Sequence, residues 1–102
     1  MRQINIYQKT GNFAGNKDIA KEIRTKEILP FIRKEDKIFL DFENVNSATQ
    51  SFVHALISDV IRKEGIEVLD KLFFKNCNET IQKMIGIVVE YMQDIDNKNS
   101  KD

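Results

Sequence analysis

The segment Ile38-Phe39-Leu40-Asp41-Phe42 constrains what this chain can fold into more than any other. It is short, aromatic-rich and broken by one carboxylate near its end. Such a run reads as a strand covered on both faces, of the kind found at the centre of an α/β sheet. Before it, Asn16 to about Arg33 is helical in period. Ile19, Ala20 and Ile23 mark one apolar stripe, and Ile28, Phe31 and Ile32 mark a second, out of phase across the polar Arg24–Glu27. Pro30 has no backbone donor and its ring clashes with the preceding turn, so this element is expected to bend or to break in two. After the strand, Glu43-Asn44-Val45-Asn46 turns the chain into its most clearly marked helix, expected over 47–64. Ser47-Ala48-Thr49-Gln50 matches a capping box, in which Ser47 caps the start and Gln50 reaches back. Phe52, Val53, Leu56, Ile57, Val60 and Ile61 then form one broad apolar face, and Gly65 supplies the stop.

The remaining elements fit around these. Gln3 to Tyr7 alternates as a half-buried strand does, Lys9-Thr10-Gly11-Asn12 has hairpin chemistry, and Phe13-Ala14 is expected to return beside the first strand. Lys71–Asn76 reads as a further strand. Asn76 or Asn78 is placed to cap a last helix whose stripe is Ile81, Met84, Ile85, Val88, Val89 and Met92. Strands separated by helices pair in parallel through right-handed crossovers. The expected fold is therefore α/β, a small mostly parallel or mixed sheet of roughly three or four strands packed against helices. One domain is expected over residues 1–95, with a polar, disordered tail over 96–102. Val53, Leu56, Val60, Ile85 and Val88 should share its core with Ile38, Leu40, Leu72 and Phe74.

Charge and cysteine content narrow the function classes. Sixteen basic residues balance sixteen acidic ones over 102 residues, so no global field draws nucleic acid or anionic lipid, and neither is an expected partner. The single cysteine, Cys77, cannot form an internal disulfide. No apolar run exceeds three residues, far below the ~20 that span a bilayer, and Met1–Asn5 alternates instead of opening a leader. The expected setting is cytoplasmic.

Most catalytic templates are missing. Gly11 and Gly15 match no phosphate-binding fingerprint, and one Cys with one His cannot build a metal cluster, so no cofactor or metal is expected. Ser51 and His54, three apart on one helix, can approach each other, but no orienting acid or oxyanion site accompanies them. Cys77 lies just before a helix start, where the dipole can lower a thiol's pKa, yet it has no resolving partner. Basic residues from Lys17 to Lys37 are interleaved with Asp18, Glu22, Glu27, Glu35 and Asp36, which reads as a solvated helix face. On helical geometry Ser51 should face solvent in line with Ala55, Ser58 and Arg62, while Thr49 points toward the core in a structural role. Asp41, alone in an apolar run, should be held by backbone donors and position the following turn.

The stretch from Ile38 to Phe52 resembles a bacterial family, the STAS-like domain of unknown function. That family shows a strand ending Asp-Phe, a short turn ending in Val, and Ser-Phe opening a helix; here these are Asp41-Phe42, Val45 and Ser51-Phe52. Gly15, Arg24 and Ile28 fall where its first helix carries a Gly, an Arg and an aliphatic residue. The resemblance implies a fold similar to anti-sigma-factor antagonists, in which a partner ATPase of the histidine-kinase-like type phosphorylates a Ser at the start of the central helix. Ser51 occupies that position. The antagonists carry Asp-Ser-Ser/Thr-Gly there, whereas this chain has Thr49-Gln50-Ser51-Phe52, so partner binding carries over better than phosphorylation. The expectation is a non-enzymatic interaction and signalling module with a protein partner, such as that ATPase or another neighbouring gene product. Its contact surface should hold Asn44, Asn46, Gln50, Ser51, His54 and Ser58. The alternatives are a hydrolase using Ser51 and His54, or an oligomeric structural or defence component, with a homodimer through Ile87, Tyr91 and Met92.

Overall fold

The computed structural model describes residues 1–99. Strand β1 (Arg2–Asn5) stops after four residues because Asn5 caps a short helix, α1 (Ile6–Thr10), its Oδ1 accepting from Gln8 N at 3.0 Å. Gly11, at φ 73°, turns the chain into β2 (Phe13–Ala14). The expected hairpin does not form. With a helical turn inserted between them, β2 leaves β1 and pairs in parallel with β4 (Ser47–Ala48).

Asn16 caps α2 (Lys17–Ile23), accepting from Asp18 N at 2.9 Å. The helix then widens into one π turn, Arg24–Ile28, in which Leu29 N reaches back to Arg24 O at 2.9 Å. The extra residue in that turn absorbs the phase difference between the two apolar stripes. Ala20 and Ile23 before it, and Ile28 and Ile32 after it, all reach the core. The helix ends before Pro30, as its missing donor requires.

Strand β3 (Ile38–Asp41) is the middle of a three-stranded sheet, with β1 and β5 (Leu72–Lys75) parallel on either side. Ile4, Leu40 and Phe74 stand in one row of that register, and Gln3, Phe39 and Phe73 in the next. The order β1-β3-β5 never reverses, so right-handed crossovers bring the helices to the same face. Coverage of β3 on both faces is therefore not found. Ile38 and Leu40 are buried, while on the other face Phe39 stacks on Phe73 with ring centroids 5.2 Å apart. Lys37 and Lys75 extend over those two rings, at 5.8 and 5.7 Å from the Phe73 and Phe39 centroids, which shields the aromatic pair with charge that stays in water.

The central helix, α3 (Gln50–Glu64), starts two residues later than the capping-box reading places it. Ser47 is extended because β4 pairs with β2, so the cap passes to Thr49, whose Oγ1 accepts from Phe52 N at 3.1 Å. Gly65, at φ 89°, ends the helix, and a 3₁₀ turn over Ile66–Asp70 leads into β5. Asn78 caps α4 (Glu79–Asn99), its Oδ1 accepting from Ile81 N at 2.9 Å. Backbone helix thus continues to Asn99; the last part of the tail expected over 96–102, residues 100–102, lies outside the described residues. Val53, Leu56, Val60, Ile85, Val88, Ile38, Leu40 and Leu72 are buried together, with Phe74 half-buried against them. Met92 is 2% exposed and belongs to this core, not to an outer surface with Ile87 and Tyr91, because it continues the i, i+4 stripe from Val88.

The cap assignment is open to measurement. Thr49→Ala should lower stability by about 1 kcal/mol in urea unfolding, and Ser47→Ala by a small fraction of that. Equal costs, or the reverse order, would return the helix start to Ser47.

Candidate functional site

Two parallel strands, β3 and β5, end side by side, and each is followed by an Asn in the left-handed conformation, Asn44 at φ 71° and Asn76 at φ 58°. Asn tolerates that region better than other residues with a Cβ. Asp41 ties the two ends together: its Oδ1 accepts from Asn76 Nδ2 and from Glu43 N, both at 2.9 Å. The Asn76 amide first and then the Glu43 N–H hold the Asp41 carboxyl below its ordinary range against the opposing effect of burial, with a lesser contribution from the Lys75 ammonium. Next in the chain, Cys77 is half-buried and its thiol is pushed up to about 11, by burial and then by the Asp41 charge. A helix start does not activate it, and at neutral pH it is a thiol.

The polar side of α3 is not an open helix surface. The short parallel pairing of β2 with β4 sets the starts of α2 and α3 next to each other, and α2 packs along α3. Between them runs a groove of about 510 Å³, lined by Lys17, Lys21 and Arg24 from the first helix and its π turn. Gln50, Ser51, His54, Ala55, Ser58, Asp59 and Arg62 form the other wall. Arg24 Nη1 crosses the groove floor to Ala55 O at 2.7 Å and lies 3.3 Å from Asp59 Oδ2. Arg62 Nη1 takes the other carboxylate oxygen of Asp59 at 3.2 Å. His54 is half-buried, its ring 6.1 Å from that of Tyr91 on α4.

Gln50, Ser51, His54 and Ser58 are thus brought to one groove, and Gln50 and Ser51 are exposed. Ser58, expected in line with Ser51 on the solvent side, is instead 3% exposed, because α2 covers that side of α3. Asn44 and Asn46 are exposed in the preceding turn and do not line the groove; Asn46 is pinned there by Asn12 O and by the Asn78 side chain. Among the described residues no hydrogen bond joins Ser51 to His54. Nor do any three His, Cys, Asp or Glu side chains among them gather as metal ligands would, and no helix among them is long and apolar enough to cross a membrane.

The basic wall was not legible from composition. Lys17, Lys21 and Arg24 recur at i, i+4 and i+7, and that spacing was the available signal. Three of the interleaved acids point elsewhere: Glu22 pairs with Lys26, Glu27 with Lys9 and Arg2, and Glu35 with the amino terminus.

A family model described as a STAS-like domain of unknown function matches residues 20–82, which take in α3, all of β3 and β5, and most of the groove. Gly15 lies outside the matched span. No curated protein and no solved structure matches the chain.

The Asp41 arrangement has a pH signature. A carboxylate held below its unfolded value stabilises the fold above about pH 4 and loses that contribution as pH falls through the folded value. Asp41→Asn should therefore cost about 0.5–1 kcal/mol at pH 7, a modest figure because the site is solvent-screened. In acid unfolding series the difference from the parent should close below about pH 4. A constant gap across pH would assign the loss to packing instead.

Proposed function

This chain belongs to the family of STAS-like domains of unknown function, and we propose that it acts as a protein-interaction and signalling module, without a reaction of its own. Its contact surface in this reading is the strand-to-helix turn 43–51 together with the rim of the groove beside it. The observation that carries the reading is the exposure of Asn44, Asn46, Gln50 and Ser51 around the start of α3, on a turn whose shape Asp41 and Thr49 fix from below. Such a surface presents donors and acceptors on a rigid frame, so little ordering entropy is lost when a partner docks.

The partner proposed is a regulatory protein encoded nearby, a histidine-kinase-like ATPase above all, in a cytoplasmic setting. Ser51 is the candidate phosphoacceptor of the surface. It lies exposed in the first turn of α3, where the helix dipole favours added negative charge. Thr49, by contrast, has its hydroxyl occupied by the Phe52 N–H.

Ser51→Asp separates fold from binding. The helix start accepts the charge, so stability should change by no more than about 1 kcal/mol. At a desolvated contact the same charge goes unpaired, and affinity for the ATPase product of a neighbouring gene should fall by several kcal/mol in titration calorimetry. Parental affinity in the variant would move the contact surface away from Ser51.

A further inference from the structure

We propose that the groove between α2 and α3 is a binding site for a phosphate group, an inference that does not depend on the partner reading above. The chain as a whole has no net charge, yet four cations, Lys17, Lys21, Arg24 and Arg62, face a single carboxylate, Asp59, across this one groove. Both oxygens of that carboxylate are already engaged, one by each arginine. Neither Lys17 nor Lys21 has a carboxylate within ion-pair distance among the described residues. The groove therefore holds excess positive charge that the fold does not neutralise.

Arg24 is the key group. The π turn begins at this residue and delivers its side chain onto α3, where it is only 12% exposed. Its Nη1 is satisfied, but Arg24 Nε is buried with no hydrogen-bond partner, the one such side-chain atom among the described residues. Native folds rarely leave a buried donor unmet, since it gives up its bonds to water and gains none in return. Single π turns inside helices are frequent at functional sites, and this one sets Arg24 in the wall of the groove.

The rest of the lining selects the ligand chemistry. Gln50, Ser51, His54 and Ser58 can all donate, and the one obligate acceptor, Asp59, is taken. A donor-rich, cationic lining complements a ligand made of acceptors with more than one negative charge. A phosphate monoester or diphosphate meets both requirements, and guanidinium and ammonium donors bind it well. The volume, about 510 Å³, falls in the range of small-molecule sites, so the phosphate has room to arrive on a larger group. Two sources supply that chemistry: a small phosphorylated metabolite, or a phosphorylated side chain of a protein.

Amide-detected NMR titration at fixed ionic strength tests the site, with pyrophosphate as one probe and a phosphoserine peptide, set against its unphosphorylated form, as the other. Saturable shifts are expected along residues 17–24 and 50–62 with at least one of them, and the tighter binder names the source. Lys21 is exposed, so Lys21→Glu should keep the parental melting temperature yet weaken binding about tenfold or more. Lys83→Glu, at an exposed position on α4 away from the groove, should leave affinity unchanged. Should Lys21→Glu fail to fold, Lys17→Glu carries the same expectation. Shifts that never saturate with either probe, or equal affinity in the groove variant and the parent, would overturn the assignment.

Discussion

Burial of α3 on three sides is the constraint on which the rest of the structure depends. Ile38 and Leu40 lie in the sheet beneath it, while α2 and α4 pack along its flanks. Phe52, Val53, Leu56, Ile57, Val60 and Ile61 are all buried, and each contributes roughly 1.5–3 kcal/mol of apolar burial against the entropy of ordering the chain. Ala55 and Ser58, on the flank that faces α2, are small, which lets α2 approach until Arg24 reaches the Ala55 carbonyl. Ser58, the one buried polar residue among the described residues, marks how completely that flank is closed. The groove exists because two helices start from adjacent short strands and stay together, and its charge follows from which side chains that pairing turns inward.

Much of this architecture could be read from patterns of period two and 3.6. The central strand, the apolar face of α3, its stop at Gly65 and the stripe of α4 all come from single elements whose signals are local. The failures share one cause, a long-range pairing that overrides a local preference. Ser47 has good capping chemistry, but β2 claims it as a strand residue and Thr49 becomes the cap. Phe13-Ala14 follows a hairpin-like turn, yet its partner is 34 residues away at Ser47-Ala48. Phe39 looks like a residue buried on a covered face. It instead stacks on Phe73 beneath two lysine stems, because strand order places every crossover on the opposite side.

The candidate site was legible where it is local and illegible where it is assembled. Exposure of Ser51 follows from the phase of α3 alone, whereas Gln50 shares the phase of the buried Ile57 and Ile61 and is exposed as the first residue of the helix. Enclosure of Ser58 does not follow from that phase, since it requires knowing that α2 lies alongside. In the sequence, Lys17, Lys21 and Arg24 alternate with acids and look like a neutral solvated face. In three dimensions Glu22, Glu27 and Glu35 turn to Lys26, Lys9, Arg2 and the amino terminus, and the bases are left facing Arg62. The π turn, which no periodicity rule anticipates, explains both the phase break after Ile23 and the reach of Arg24.

Native-state hydrogen exchange along α3 tests this enclosure most directly. If the sheet, α2 and α4 hold the helix together, the amides of Ala55, Leu56, Ile57, Ser58 and Val60 should exchange only through global unfolding, with one common free energy and one denaturant dependence. Exchange of Ala55 and Ser58 through a low-energy opening, while Leu56 and Val60 stay protected, would contradict it. That result would mean α2 does not close the polar flank of α3, and the groove would lose its second wall.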